Sequence, residues 1–253
     1  MTENLSGRTV VVAGSTSAAG AAVVSALSKA GAKVAAVDIR EDRVRELAAA
    51  HDNVTGYTCN LADMDSVNEL AATIRSELGP VDGLIHLVGG WRGGKGVKGQ
   101  ADDDWDFLHT GILTTLRNTS RAFFDDLIQS PAGRLAIVSA ESVASPTADN
   151  AAYAAVKSAA EAWTLAVADG FEKDSEGPLS SASLVFVVKA LLDERMRAAQ
   201  PERKFPGFTH VDVLAEAVVD VFDADAGELN GKRIRLGTSS KATADAALSG
   251  AQR

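Results

Sequence analysis

Cysteine is almost absent from this chain, and what there is cannot cross-link it. Cys59 stands alone, so an internal disulfide is ruled out, and no His/Cys group has the spacing of a zinc site. Positive charge is also short. Against 34 Asp and Glu there are 25 Lys and Arg, a formal net charge of -9, which argues against a nucleic-acid or anionic-membrane surface. No apolar run reaches the ~20 residues of a membrane span, and Met1 to Gly7 are polar rather than signal-like. These shortages predict a soluble, cytoplasmic protein with no metal, nucleic-acid or membrane partner. Tyrosine is scarce as well, occurring only at Tyr57 and Tyr153.

What is present is ordinary globular material, with 46% of the 253 residues apolar and 23% charged. No internal repeat or Pro/Gly-rich linker divides it, which predicts one large α/β domain over residues 1–253, with 241–253 as a small polar tail. The organising stretch is TVVVAGSTSAAG, Thr9 to Gly20. Val10 to Ala13 read as a strand buried on both faces. Gly14 then allows a turn, and the small residues from Ser15 to Gly20 let backbone approach a ligand where a helix opens. Such a helix presents free N–H groups and a partial positive charge, and can hold a diphosphate. An ordinary βα turn is the bland reading of the same residues.

The alternation continues. KVAAVD, residues 33–38, is a second buried strand ending in Asp38, about twenty residues after the glycine turn. A carboxylate there can bind the ribose hydroxyls of NAD and repel the extra phosphate of NADP. Ser17 stands where an NADP binder could use a cation. Arg40 argues the other way, as a cation within reach of a 2′-phosphate, and NAD is favoured over NADP. A role for Asp38 in capping the helix near Glu41 is compatible with ribose binding. Val54 to Cys59 form a third strand before a helix from Met64 to Leu78, with Asn60 placed either to meet an adenine edge or to cap that helix. Val81 to Val88 form a fourth strand, with His86 a packed core residue, and Gly89-Gly90 lets backbone pass under a flat ligand. The loop Trp91 to Gln100 carries Arg92, Lys95 and Lys98 and reads as a lid for an anionic substrate or as a solvated flexible loop. A long helix from Asp102 to Ile128, a strand from Arg134 to Ala140, and a helix from Ala151 to Asp169 follow. Residues 170–178 read as a surface loop. A strand from Ala182 to Val188, a helical or lid-like stretch to Arg203, a helix from His210 to Phe222 and a strand from Lys232 to Leu236 complete the pattern.

Chemistry concentrates on the helix after the fifth strand. Tyr153 and Lys157 are four residues apart and project from one helix face. A phenol of pKa ~10 needs roughly three units of depression, about 4 kcal/mol, to act near neutral pH. A lysine ammonium ~4 Å away can contribute about that amount at an effective dielectric of ~20. Beside an oxidised nicotinamide, the pair makes a proton donor and acceptor for an alcohol and its carbonyl.

Taken together, the glycine turn after strand one, Asp38 after strand two and Tyr153-x-x-x-Lys157 after strand five resemble the short-chain dehydrogenase/reductases from about Gly7 to Gly237. The resemblance implies a single doubly wound domain around a seven-stranded parallel sheet. It implies Tyr153 as catalytic acid/base and Lys157 as the residue that lowers its pKa and holds the nicotinamide ribose. Gly14, Ser17, Ala19 and Gly20 would hold the diphosphate, Asp38 the ribose, Asn60 and Leu61 the adenine, and Gly89 the neighbouring ribose backbone. The sequence departs from that pattern in places. Ala18 replaces the family's second glycine, and Ala140 stands at the usual serine position, with Ser142 favoured over Ser139 as the substitute. The family's helical asparagine falls on Gly111 or Ile112. Val88-Gly89-Gly90 replaces Asn-Ala-Gly, and the Pro-Gly after strand six is missing. The implied function is NAD-dependent hydride transfer on a small alcohol or ketone, by a homodimer or homotetramer packed through the alanine face of Ala155, Ala159, Ala162 and Ala166. The alternative is an NAD(H)-binding sensor or structural partner without efficient turnover.

Overall fold

The computed structural model describes residues 4–237, so the tail expected over 241–253 lies outside it. Strands β1 (Thr9–Ala13), β2 (Lys33–Asp38), β3 (Val54–Thr58), β4 (Gly83–His86), β5 (Arg134–Ala140) and β6 (Ala182–Val188) alternate with helices. The helices are α1 (Ala18–Lys29), α2 (Glu41–Ala49), α3 (Met64–Leu78), α4 (Asp102–Leu108), α5 (Thr115–Gln129) and α6 (Ala151–Asp174). After β6 come β7 (Leu191–Leu192), α7 (Glu194–Ala199), β8 (Thr209–His210), α8 (Val211–Asp220), α9 (Ala226–Leu229) and β9 (Arg233–Arg235). The main sheet has seven parallel strands in the order β3-β2-β1-β4-β5-β6-β9. The strand order reverses between β1 and β4, and ligands bind doubly wound sheets at the crevice such a reversal leaves. Apolar residues on both faces of β1 and β4 to β6 meet two separate cores, one beneath α1 and α8 and one beneath α3, α5 and α6.

Three expectations are corrected by packing. The long helix is broken at His109–Thr114 into a wider, π-type turn. There the Thr115 hydroxyl donates to Gly111 O at 2.8 Å and, having no second hydrogen, accepts from His86 Nε2 at 3.0 Å. His86 is buried as expected, but it straps this turn to β4 rather than sitting silently in the core. The second correction lies in α6, which runs through Gly170 to Asp174 instead of yielding to a loop. Phe171 is fully buried and its ring lies 5.2 Å from that of Phe124, which outweighs the poor helix propensity of the glycine. Finally, the Trp91 loop, though largely exposed, is pinned to the turn that carries Asp149. Gly94 N donates to Asp149 O at 2.8 Å, Gly96 N to Asp149 Oδ1 at 3.0 Å, and Arg92 lies 3.8 Å over the Phe107 ring.

The His86 strap generates a prediction. Thr115→Val keeps the shape but strands the imidazole N–H, and is expected to cost about 1–3 kcal/mol in urea denaturation. The double change with His86→Leu should cost less than the two single changes summed. Burial and the Lys157 charge hold the His86 pKa down at about 3. Below pH ~6.5 the unfolded chain therefore takes up a proton that the native state refuses, and stability falls by up to about 1.4 kcal/mol per pH unit until pH nears 3. Between pH 6.5 and 4.5, before carboxylates titrate, His86→Leu should flatten that slope.

Candidate active site

The glycine turn is built by contact. Gly14 has φ +81°, and a Cβ on it would stand 2.8 Å from Leu87 C and Val88 N. A Cβ on Gly20 would stand 2.3 Å from Gly14 O, so α1 is seated directly on the end of β1. Ser17 caps α1, donating to Gly14 O at 3.0 Å and accepting from Gly20 N at 3.0 Å. The first N–H groups of a helix have no intrahelical acceptor. Here Ser17, Ala18 and Ala19 at that terminus line a cavity of about 590 Å³.

The same cavity is lined by Gly89, Ser139, Ser142, Tyr153 and Lys157, so α1 and α6 face one space. Lys157 is 9% exposed and donates to Val138 O at 2.7 Å, and burial pulls its pKa down to about 8 while Glu161 opposes the fall. Its ammonium lies 5.9 Å from the centre of the Tyr153 ring. Burial pushes the Tyr153 phenol up, so the protein surroundings alone do not supply the depression expected from the lysine. Tyr57, by contrast, donates to Glu77 at the exposed edge of the sheet and lines neither this cavity nor its neighbour. Ser139 is buried with no partner for its Oγ among the described residues, whereas Ser142 sits half-buried on the turn Glu141–Val143, and Ala140 lies between them on the same wall.

A second cavity, of about 340 Å³, lies beyond Val88, which lines both. Gly14, Asp38, Asn60 and Leu61 form its wall with Ile39, Phe107 and Gly111. Burial works against the Asp38 charge, but hydrogen bonds from Thr16 and Arg40 outweigh it and hold the carboxyl below the usual carboxylate range. Thr16 supplies its N–H at 3.1 Å and its hydroxyl at 2.6 Å to Oδ2, and Arg40 Nη2 in turn donates to the Thr16 hydroxyl. Arg40 itself is the N-cap residue of α2, and Asp38 Oδ1 accepts from Ile39 N at 2.8 Å. Asn60 accepts from Ala62 N at 3.2 Å, while Asp63 rather than Asn60 caps α3.

Thr16 and Asn118 are the supports that sequence reading missed. Asn118 is buried on α5 and donates to Leu61 O and Ala62 O, both at 3.1 Å, fixing the loop at the second cavity. A buried amide among the buried hydroxyls of Thr115, Thr119 and Ser120 carries a sequence signal only once the loop opposite is known. Thr16 was legible as a hydroxyl in the glycine turn, but its pairing with Asp38 is set by the β1–β2 register.

No helix of the described residues is long and apolar enough to cross a membrane, and the described residues hold no cluster of three or more His, Cys, Asp or Glu able to bind a metal. Residues 8–175 match the family described as short chain dehydrogenase. The chain is similar to 2,3-dihydro-2,3-dihydroxybenzoate dehydrogenase of Bacillus subtilis, 26% identical over 166 residues, 64% of this chain and 63% of that protein. It is also similar to D-threitol dehydrogenase of Mycolicibacterium smegmatis, 36% identical over 92 residues, 34% of each chain. It thus spans less than two thirds of the length of either relative. Among solved structures, a short chain dehydrogenase from Pseudomonas syringae superposes with a TM-score of 0.80 at 21% identity, covering 93% of this chain and 97% of that one. NAD+-bound xylitol dehydrogenase does so at 0.78 and 15% identity, covering 93% and 99%. The seven-stranded sheet, the glycine turn and the family match agree: this chain belongs to the short chain dehydrogenases, a family of nicotinamide-dependent oxidoreductases.

Proposed function

We propose that this protein is an NAD-dependent oxidoreductase that moves a hydride between nicotinamide and the alcohol or carbonyl carbon of a small molecule. The observation that carries the reading is the shared cavity: Tyr153 and Lys157 face the N-terminus of α1 across one space. When bound, NAD supplies the carbon that accepts or returns the hydride. Gly14, Ser17, Ala19 and Gly20 would hold its diphosphate, Asp38 a ribose, Asn60 and Leu61 the adenine. Gly89, whose missing Cβ would come within 4.0 Å of Lys157 Nζ, would flank the other ribose. Tyr153 gives or takes the substrate proton, Lys157 stabilises the phenolate, and Ser142, with Ser139 as the alternative, steadies the substrate oxygen. The phenol is held up by burial, so the charge of the oxidised nicotinamide is needed beside Lys157 to bring it into range.

Asp38 favours NAD because its carboxylate is already ionised and fixed by Thr16, and because Arg40 is engaged with both residues. A homo-oligomer is supported by α6, where Ala155, Ala159, Ala162 and Ala166 are all exposed and Leu165 is too. Ala166 joins Trp163, Val167 and Phe124 in a groove of about 420 Å³ between α5 and α6.

Three outcomes follow from this reading. Tyr153→Phe should bind NADH as the wild type does yet turn over ketones about 10²–10⁴-fold more slowly; equal rates across a broad ketone and quinone panel would favour the sensor. In calorimetry NAD should bind at least about 10-fold more tightly than NADP, and Asp38→Gly, which frees Arg40, should reverse or abolish that preference. Light scattering at micromolar concentration should give a dimer or tetramer mass, and Ala162→Arg should lower it to that of a monomer.

A further inference from the structure

Two segments bound the outer end of the catalytic cavity: the loop after β4, which carries Trp91, and the excursion between β7 and β8, which carries Met196. Both side chains are unusually open for apolar groups, Trp91 at 61% and Met196 at 37% exposure. Trp91 lies close over its own loop. Its Cζ2 would lie 3.3 Å from a Cβ on Gly93, so part of the indole rests on the loop backbone, and that loop is pinned to Asp149 as described above.

Of the charged groups nearby, the two cations of the Trp91 loop are paired within the protein, while Lys157 and Lys189 keep their charge on the lining. Arg92 and Lys95 both contact Asp104, at 3.2 and 3.4 Å. Lys189 donates to Pro206 O at 2.8 Å, and Asp193 accepts from Met196 N at 2.6 Å as the cap of α7. Apolar Val188, Ala190, Leu191 and Val211 line the same cavity as Trp91 and Met196. The neutral polar groups on the lining include Ser139, Ser142, Asn150 and Tyr153, and Asn150 spends its Oδ1 on Thr147 N at 2.7 Å.

Resting on the oxidoreductase reading above, we infer that Trp91 and Met196 are specificity-determining residues, and that the substrate is a ketone or secondary alcohol bearing a flat apolar ring. An aromatic face and a polarizable thioether on one cavity lining suit a ring. Neither side chain itself offers a counter-charge to a carboxylate, and of the two only the indole N–H can donate to a polyol. The basic loop, read from sequence as a possible attractor of anions, has its arginine and one of its lysines paired within the protein.

The test uses the full chain saturated with NAD+, so that a ketone binds without hydride transfer, and calorimetry with three probes: 1-tetralone, dihydroxyacetone and acetoacetate. NAD+ is titrated first. Failure of that titration overturns the oxidoreductase reading, and this inference with it. Given coenzyme binding, 1-tetralone should bind at least about 10-fold more tightly than either other probe. Trp91→Ala and Met196→Ala should each weaken tetralone at least about 5-fold while moving NAD+ affinity by less than about twofold. Tighter binding of dihydroxyacetone or acetoacetate, no detectable binding of tetralone, or tetralone affinity unchanged in both variants would overturn the inference and leave the coenzyme reading intact.

Discussion

The closest backbone approach at the site is between Gly20 and Gly14. With no side chain on either, the first turn of α1 rests on the carbonyl end of β1, and Gly14 in turn rests on the chain leaving β4. Everything at the site is referred to that three-way contact. It brings the partial positive charge of a helix terminus to the crevice where the strand order reverses, and it places Val88 as the partition between the two cavities. A side chain at either glycine would push helix, strand and partition apart together.

Around this frame, burial sets the behaviour of two basic side chains and surrounding donors that of one carboxylate. Lys157 and His86 are both taken from water, and each loses some hold on its proton as a result. The imidazole stays neutral, so it can sit near an ammonium without repelling it, and its N–H is spent on Thr115. Asp38 is the counter-example, a buried carboxylate that keeps its charge because donors surround it. The crevice thus offers an ionised acceptor at one end and a partly desolvated ammonium at the other.

How much of this was legible depended on how local its cause was. β2, α3, β5 and β6 coincide with their apolar runs and flanking turn residues, because strands buried on both faces leave little room for other sequence. Tyr153 and Lys157 were readable from a four-residue spacing on one helix. The wide turn at His109–Thr114 was not, since its cause is a hydrogen bond to a histidine twenty-nine positions away from Thr115. Nor was the continuation of α6 through Gly170, which depends on Phe124 in another helix. The docked Trp91 loop was hidden for the same reason: its glycines signal freedom, and Asp149, which removes that freedom, belongs to a distant turn.

The ribbon of β7 and β8 is only two residues per strand, with Leu191 opposite Thr209 and Leu192 opposite His210. Short as it is, it brings the entry and exit of the intervening segment side by side, with Thr209 N donating to Ala190 O at 2.9 Å. The stretch from Asp193 to Phe208 is therefore a cassette clipped at its base. Its length and composition can drift while the chain returns to the sheet at the same point, because closing a longer loop adds little entropic cost. Such a fold can exchange one clientele for another by rewriting about sixteen residues and leaving its nucleotide cradle alone.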